Sequence, residues 1–348
     1  MSESYKAVQW VPIKKAYDLV IAAGVLTYMI CFFAISKLIA PTMSDEIIII
    51  RALGTGAFVL LHVILVIGPL ARLNPRLLPL LYNRRHLGVT MFFLATGHAA
   101  LVVLYYHLGG DLNPLVSIFS SAPLLGEVAW IPFQPFGFFA LIILFLMAAT
   151  SHDFWLANLT APVWKALHML VYVAYLLLVA HVVFGVLQTE QSLAYVIATG
   201  LGIVLVGGLH MAAGSRSRSL DKPVEQREAP DSEGYYRACS VADIAENRAE
   251  IVNLGGERVA VFKYDGKISA VSNVCQHQNG PLGEGKIFDG CITCPWHSFQ
   301  YYPDSGKSPE PFTEKIPTFR SKVIEGEVWV NPMPCLPGTR VEPATISS

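Results

Sequence analysis

Residues 275–297 read CQHQNGPLGEGKIFDGCITCPWH and contain two short motifs of the same composition. Cys275 and His277 form a C-x-H motif, Cys294 and His297 form a C-x-x-H motif, and sixteen residues separate the two. Two thiolates and two imidazoles at this spacing match a [2Fe-2S] cluster in which cysteines hold one iron and histidines hold the other. The same ligand types also allow a structural zinc site, although zinc motifs rarely place a cysteine and a histidine together in each loop.

The residues around these motifs resemble the Rieske family from about residue 235 to about residue 334. The flanking sequences that carry the resemblance are PLGEG at 281–285 and PDSGK at 303–307. The cytochrome bc type of this family has a second pair of cysteines, which join the two loops. Because Gly280 and Trp296 stand at those positions, the chain is more similar to the ferredoxin and oxygenase types.

One further position bears on the redox potential that this resemblance implies. The bc type has a serine two residues after its second ligand histidine, where it donates a hydrogen bond to a sulfur. Phe299 occupies that position here, and Tyr301 follows two residues later. Fewer donors to the sulfurs stabilise the reduced cluster less. We therefore expect a low to intermediate potential.

The chain is too apolar for an ordinary soluble protein, and its apolar residues are concentrated before residue 213. Hydrophobic residues make up 53% of its 348 residues and charged residues only 15%, and the mean hydropathy is +0.47. A helix needs about 20 apolar residues to cross a bilayer. Six stretches are candidates, the fourth of them short: 17–40, 47–70, 86–107, 136–152, 164–187 and 192–213.

Basic residues lie in alternate connections between these stretches, which predicts their orientation. The connection 108–135 contains no Lys or Arg, and neither does the fifth connection. The basic residues are Lys6, Lys14, Lys15, Arg72, Arg76, Arg84, Arg85, Lys165, Arg216, Arg218 and Lys222. Both termini are therefore expected in the cytoplasm. A reducing compartment agrees with six cysteines that suggest no disulfide framework, and a net charge of −1 argues against nucleic-acid binding.

The predicted fold class is a membrane all-α six-helix bundle followed by a small all-β domain at the C-terminus. The expected divisions are a membrane domain at 1–213, a flexible linker at 214–234, a β domain at 235–334 and a loosely attached tail at 335–348. Short β-like runs are expected at 258–264, 267–271, 322–324 and 328–330. Asp265-Gly266 predicts a hairpin turn between the first two.

Histidines in the apolar stretches are the second group of candidate ligands, because ionisable residues inside a bilayer are costly and usually functional. His168 and His181 share one predicted span, and His98 lies in another. This region resembles the ferric-reductase-like transmembrane family over about 50–190, and within it the haem-binding membrane subunit of bacterial methionine-sulfoxide reductase systems. The resemblance rests on GPLARL at 68–73, RRHLG at 84–88, WKALH at 164–168 and the three histidines. It implies that His98, His168 and His181 bind haem b, in two haems, at a bacterial plasma membrane.

Depth along the spans suggests how these ligands pair. His98 and His181 lie deeper than His168, so they suit one site together, and His168 needs a different partner. His86 is at a suitable depth, and His62 is the next candidate. His86 could equally be an interfacial residue and His62 a hydrogen-bonded core residue. His107, His152 and His210 lie at predicted span edges, where solvation is more common than ligation.

These features together predict an oxidoreductase-type electron-transfer protein or subunit. The expected cofactors are a [2Fe-2S] cluster and haem b, and the expected partners are the lipid bilayer, a redox protein and a quinone. The alternative is a membrane-anchored Rieske ferredoxin that supplies a separate oxygenase or reductase. A Rieske oxygenase would need further histidines for a mononuclear iron, and His277 and His297 are the only histidines after residue 210.

Overall fold

The protein is described by a computed structural model that places residues 12–120, 124–125, 128–129, 132–151, 155, 159, 161–187, 193–220, 223–224, 229–277, 279–296 and 298–346. The chain forms two compact units. One is built on Trp10–Ile67 and Asn83–Gly208, and the other on Gly68–Tyr82 and Leu209–Ser348.

Helices dominate the chain up to residue 220. A 3₁₀ segment, Pro75–Asn83, follows the second helix, and a π-helical turn, Val103–His107, continues the third. A two-stranded ribbon joins β1 (Leu124–Leu125) to β2 (Val128–Ala129). The helices are α1 Pro12–Ile39, α2 Asp45–Leu73, α3 Arg84–Val102, α4 Pro114–Ser120, α5 Gln134–Thr150, α6 Ala161–Met169, α7 Val171–Phe184 and α8 Leu193–Leu220.

Most of these helices are long and apolar enough to cross a membrane. Within the described ranges, five segments qualify: Lys15–Ile39, Asp45–Leu73, Arg84–His107, Val163–Phe184 and Leu193–Arg218. The expectation of an all-α membrane bundle is confirmed. The predicted number of six spans is not, because one of the six helices is too short. The remaining apolar helix, Gln134–Thr150, has 17 residues, fewer than the roughly 20 that span a bilayer at 1.5 Å per residue.

The helices pack around a small apolar core and leave large apolar side chains on their outer faces. Leu61 and Ala174 are fully buried, and Leu144 is nearly so. Leu19, Phe93 and Leu176, by contrast, are each more than 60% exposed. Such surfaces are unfavourable in water but are matched by lipid. This unit therefore belongs to a multi-pass membrane protein.

The strands after residue 235 form three antiparallel sheets, called the β domain below. Strand β6 is central to the largest sheet, whose order is β10-β6-β5-β4 with β13 also on β6. The other sheets are β11-β12-β3 and β7-β8-β9. The strands are β3 Tyr236–Ser240, β4 Arg248–Leu254, β5 Glu257–Tyr264, β6 Lys267–Ser272, β7 Lys286–Phe288, β8 Cys291–Thr293, β9 Gln300–Tyr301, β10 Thr318–Phe319, β11 Ser321–Ile324, β12 Glu327–Val330 and β13 Ala344–Thr345.

The strands and the turn expected from the sequence are present. Asp265 and Gly266 join β5 to β6 with φ values of 46° and 69°, as a two-residue hairpin with two left-handed positions requires. Alternate residues of β5 then face opposite sides. Val259 and Val261 enter one apolar core. Ala260 and Phe262 enter a second core, which also contains the two cysteines of the predicted ligand motifs.

Two boundary expectations need correction. Helix α8 ends at Leu220, beyond the predicted end of the membrane domain at residue 213. The tail after residue 334 is not loosely attached, because β13 pairs with β6 and the Val341 amide donates to Asp304 O at 2.7 Å. The tail carries little hydrophobic pattern of its own, and backbone hydrogen bonds to residues far away in the sequence hold it in place.

Gly306 and Gly266 of the β domain both have a left-handed backbone, but only Gly306 is also crowded by its surroundings. Gly306 and Gly266 both have positive φ, but a Cβ on Gly306 would lie 2.4 Å from Ile316 O, whereas one on Gly266 would meet nothing within 4 Å. Both alanine substitutions should therefore cost left-handed backbone energy, and only Gly306→Ala should add overpacking. We expect Gly306→Ala to lower the Tm of the β domain by about 5–15 °C more than Gly266→Ala. Calorimetry of the full chain would measure this, and equal shifts would contradict it.

Candidate functional site

The two predicted ligand loops are built in the same way. The Cys275 amide donates to Gly280 O at 2.9 Å, and Cys275 O accepts from the Asn279 amide at 2.7 Å. In the second loop the Cys294 amide donates to Phe299 O at 2.8 Å, and Cys294 O accepts from the Ser298 amide at 2.9 Å. Each loop therefore folds back on its cysteine five residues later. This folding orients both cysteines through backbone hydrogen bonds.

A left-handed residue closes each loop at the same place. Asn279 and Ser298 lie four residues after their cysteines and have φ values of 57° and 60°. Few residue types accept this conformation, and asparagine is the more favourable of the two. The matched geometry of the loops agrees with paired loops that hold opposite sides of one inorganic group.

The two cysteine side chains are deeply buried and belong to the same apolar core. Cys275 and Cys294 are each 1% exposed, and neither forms a disulfide. A Cβ on Gly280, in the first loop, would lie 2.7 Å from Sγ of Cys294, in the second. A side chain at position 280 would therefore collide with the sulfur, which gives a local reason for glycine there. A buried thiol is by itself often only a packing residue, so it is the matching geometry of the two loops that favours metal ligation here.

The Tyr301 hydroxyl contacts the first loop at two points, the Gln276 amide and the Cys275 sulfur. Its hydroxyl accepts a hydrogen bond from the Gln276 amide at 3.0 Å and lies 3.4 Å from Cys275 Sγ. Since the amide can only donate, the hydroxyl hydrogen is available to the sulfur. Burial, and then the charge of the Cys275 sulfur, raise the pKa of Tyr301, so it stays a hydroxyl donor. The sequence shows Tyr301 only as a residue near the second motif, and its contact with Cys275 depends on where strand β9 lies in the fold.

The histidine of the first motif is positioned by an aromatic side chain. The ring of His277 stacks on Phe299, with centroids 5.0 Å apart and planes within 7° of parallel. Phe299 is itself 1% exposed. The residue that replaces the serine of the bc type therefore packs against the predicted ligand. His297 lies outside the described residues, and the four-ligand set stays a prediction.

Two other cysteines of the β domain are poor candidates for reactive or ligating thiolates. Burial raises the pKa of Cys239 to about 12 and that of Cys291 to about 11, with nearby carboxylates adding to the effect. A thiol must lose its proton to act as a ligand or nucleophile. Both are therefore neutral packing residues at physiological pH.

In the helical unit, His98 and His181 face each other. Their ring centroids are 6.4 Å apart and their planes are almost perpendicular, at 85°. Nδ1 of His98 lies 2.9 Å from Ile50 O, and Nδ1 of His181 lies 3.0 Å from Phe133 O. Because a carbonyl can only accept, Nδ1 carries the proton in both rings. Each ring therefore has an unprotonated Nε2, the form that binds a metal.

A glycine permits each of these hydrogen bonds. A Cβ on Gly54 would lie 2.9 Å from Nδ1 of His98, and one on Gly137 would lie 2.8 Å from Nδ1 of His181. Each glycine is four residues after the carbonyl that its histidine reaches, so both imidazoles approach a helix through the same kind of gap. Sequence reasoning did not single out these glycines. The signal available was their position in apolar helices, where small residues mark close approach.

His168 lies against a tryptophan. The ring of Trp164 stacks on it with centroids 3.7 Å apart, and His168 Nδ1 lies 3.0 Å from Trp164 O. His168 Nε2 is 3.5 Å from the Ser151 hydroxyl. This contact is long, and binding of Nε2 to a metal could replace it. His168 thus shows the same Nδ1 arrangement as His98 and His181.

The two further ligand candidates have different surroundings. His86 Nδ1 lies 2.5 Å from a carboxylate oxygen of Asp18, and histidine ligands often donate to a carboxylate in this way. His62 has both nitrogens engaged, Nδ1 with Phe58 O at 2.8 Å and Nε2 with the Tyr175 hydroxyl at 3.1 Å. His62 therefore has the environment of a hydrogen-bonded core residue. The assignment of either as a ligand stays a prediction.

The histidines expected at span edges differ from one another. The expectation that His107 is solvated is wrong, because it is 3% exposed and its Nδ1 lies 2.7 Å from the Ser117 hydroxyl. It ends the π-helical turn, and α4 packs against that turn, which encloses the ring. His210 is half-buried in α8, and His152 lies outside the described residues.

Comparison with known families assigns both parts of the chain. A model described as Rieske [2Fe-2S] domain matches residues 234–320. A model described as Ferric reductase like transmembrane component matches residues 53–179. The resemblances seen in the sequence are confirmed for both regions.

Relatives of the C-terminal part include small ferredoxins and much larger proteins. The anthranilate 1,2-dioxygenase ferredoxin subunit of Burkholderia cepacia is 32% identical over 79 residues, which are 22% of this chain and 72% of the relative. The ferredoxin component of the alkene monooxygenase system of Xanthobacter autotrophicus is 28% identical over 101 residues, which are 29% of this chain and 83% of the relative. Cholesterol 7-desaturase nvd of Xenopus laevis is 34% identical over 89 residues, but the match spans only 20% of its length.

Among solved structures, a complex of reduced oxygenase and oxidized ferredoxin in carbazole 1,9a-dioxygenase matches at 26% identity. The match covers 30% of this chain and 99% of that chain, with a TM-score of 0.28.

The family matches, the buried Cys275 and Cys294 and the all-β architecture of the C-terminal part support one assignment. The chain belongs to the Rieske [2Fe-2S] family through its C-terminal domain, and a ferric reductase like transmembrane component precedes that domain in the same polypeptide.

Proposed function

We propose that this chain carries single electrons across a membrane between a Rieske [2Fe-2S] cluster and intramembrane haem b. In this proposal Cys275, His277, Cys294 and His297 hold the cluster, and His98 with His181 hold one haem. Both groups supply one-electron redox chemistry when bound. The chain's contribution is to position them, to exclude water and to set their potentials.

The observation that carries the proposal is the spacing of His98 and His181. Imidazole nitrogens bind metals at about 2 Å, so two rings that shared one iron would have centroids within about 6.5 Å of each other. The observed centroid separation is 6.4 Å. Both Nδ1 atoms are held by backbone carbonyls, which fixes the tautomer that leaves Nε2 for iron. The residues present therefore fit a haem with two histidine ligands.

The second haem in this proposal uses His168 with His86. His168 has the same Nδ1 arrangement as the first pair, and the Asp18 carboxylate would keep His86 oriented and more basic. Trp164, stacked on His168, would hold the ring in place. His62 is the weaker choice because both of its nitrogens already have partners.

The proposed location is the bacterial plasma membrane, with both termini and the Rieske domain in the cytoplasm. The support is the distribution of Lys and Arg among the connections. Electrons would then pass between a cytoplasmic partner and a quinone or protein on the far side of the haems. The direction that we propose is from the cluster outward, because the chain has a ferredoxin-like domain where a flavin domain is common in this family.

A second candidate function is a membrane-anchored ferredoxin that serves a separate oxygenase. Its support is the similarity to the ferredoxin components of the anthranilate and alkene oxygenase systems. The two functions differ in their need for haem. Haem content per polypeptide, from pyridine haemochromogen absorbance of the purified full chain, decides between them, because an anchor needs none.

We expect about two haems per chain, and about one in His181→Ala, since that substitution removes a ligand on which one haem depends. His62→Gln should keep both haems, because His62 is engaged with Tyr175 and the Phe58 carbonyl. Haemochromogen absorbance against protein concentration measures this. Full haem content in His181→Ala would contradict the ligand assignment.

A glycine variant tests the same site without touching a ligand. In Gly137→Val the new side chain would take the space of the His181 ring, because even a Cβ there would lie 2.8 Å from Nδ1. We expect it to lose about as much haem as His181→Ala. Gly200→Val is the matched control in a membrane helix, since a Cβ on Gly200 would meet nothing within 4 Å. Equal haem content in the two valine variants would show that the close packing is unimportant.

The Tyr301 hydroxyl should raise the potential of the cluster, because its hydrogen bond to Cys275 Sγ favours the more negative reduced form. A hydrogen bond of about 1 kcal/mol corresponds to about 40 mV for one electron. We therefore expect Tyr301→Phe to lower the midpoint potential by about that amount in an EPR-monitored titration. Tyr264→Phe is the control, since its hydroxyl contacts Ser269 rather than a cysteine. An unchanged potential in Tyr301→Phe would remove this role.

A further inference from the structure

A salt bridge joins the end of α2 to the β domain. Arg72 Nε lies 3.1 Å from Glu284 Oε1, although the two residues are 212 positions apart in the sequence. Both belong to the same compact unit, which combines Gly68–Tyr82 with the residues after Leu209. The Glu284 side chain is 15% exposed and that of Arg72 is 49% exposed. The contact therefore partly shields the carboxylate and leaves the arginine accessible to salt.

Glu284 is firmly connected to the first cluster loop. It ends a 3₁₀ turn, Leu282–Glu284, that is held by Asn273, two residues before Cys275. The Leu282 amide donates to Asn273 O at 2.9 Å, and the Gly283 amide donates to Asn273 Oδ1 at 2.6 Å. A contact at Glu284 therefore positions the loop that carries Cys275 and His277.

A second arginine approaches the same helix end. Arg216, in the last turns of α8, donates from Nη1 to Leu73 O at 3.3 Å. Burial and then Asp243 raise the pKa of Glu250 in β4, and the charge of Arg216 opposes both. Basic groups of α2 and α8 thus face carboxylates of the β domain. The charges on the two sides are complementary.

From this geometry we propose that Arg72 and Glu284 form a reversible docking contact, which holds the cluster loop at the end of α2 and is released by high ionic strength. The role in electron transfer rests on the proposed function, whereas the contact itself does not. Exposed ion pairs typically change an equilibrium by only about twofold to fivefold. An ion pair of that strength favours the contact between Arg72 and Glu284 without making it permanent.

Carbodiimide cross-linking of the full chain tests the contact without any cofactor readout. The Arg72→Lys variant places an amine beside Glu284, and the reagent activates the carboxylate so that an amide forms with loss of the urea. We expect a cross-linked peptide that joins positions 72 and 284 in mass spectrometry. The double variant Arg72→Lys with Glu284→Gln is the control, because it keeps the amine and lacks the carboxylate.

The salt dependence follows from screening. Raising KCl from about 10 mM to about 1 M shortens the screening length from about 30 Å to about 3 Å. We expect the cross-link yield to fall several-fold over this range. A yield no higher than in the Glu284→Gln control would overturn the docking contact, and a yield that does not change with salt would overturn its release by ionic strength.

Reduction of haem by the cluster in the full chain tests the consequence for electron transfer. Arg72→Glu should slow this step about twofold to fivefold, and combining it with Glu284→Arg should restore the rate. Arg340→Gln breaks a comparable exposed pair, with Asp304 at 3.2 Å, and should leave the rate unchanged. Slowing without recovery in the charge-swapped pair would overturn the role of this salt bridge. A positive cross-link with no haem reduction would overturn the proposed function and leave the contact standing.

Discussion

The organisation of the helical unit depends on one constraint, which is that an imidazole inside apolar helices needs a hydrogen-bond acceptor from the protein. Water is not available there, and an unsatisfied N–H is costly. His98 meets this need with Ile50 O and His181 with Phe133 O, and glycines at 54 and 137 make the approach possible. Satisfying Nδ1 also fixes the tautomer. The same hydrogen bond that makes burial tolerable therefore leaves Nε2 unprotonated.

This constraint also explains why histidines in similar helices differ in their ability to bind a metal. A buried imidazole that satisfies both nitrogens with protein groups, as His62 does with Phe58 O and the Tyr175 hydroxyl, has no lone pair left for a metal. An imidazole that satisfies only Nδ1 keeps that capacity. The partners of each ring are therefore more informative about ligation than its depth in the span. In the β domain, backbone amides and carbonyls orient Cys275 and Cys294, and Gly280 leaves the space that the Cys294 sulfur occupies.

The sequence predicts the parts of this molecule that depend on local pattern. Apolar length indicates five of the six predicted spans among the described residues, Asp265-Gly266 indicates the hairpin, and the cysteine and histidine motifs indicate the cluster family. The sequence could not indicate that β13 pairs with β6 or that the Ser117 hydroxyl contacts His107. Those contacts join residues without a distinctive pattern of their own. They are decided by which distant segment is nearby after folding.

The presence of both residues on one chain changes how strong the Arg72–Glu284 contact has to be. A ferredoxin that diffuses to its partner must bind at the concentrations found in the cell, which requires a substantial interface. A domain on the same chain is already present at an effective concentration that a short linker can raise to about the millimolar range. Under that condition the Arg72–Glu284 pair, weak because it is partly exposed, is sufficient to bias the position of the cluster loop. A stronger contact would slow its release, so a single, partly exposed ion pair suits the reversible contact that we propose.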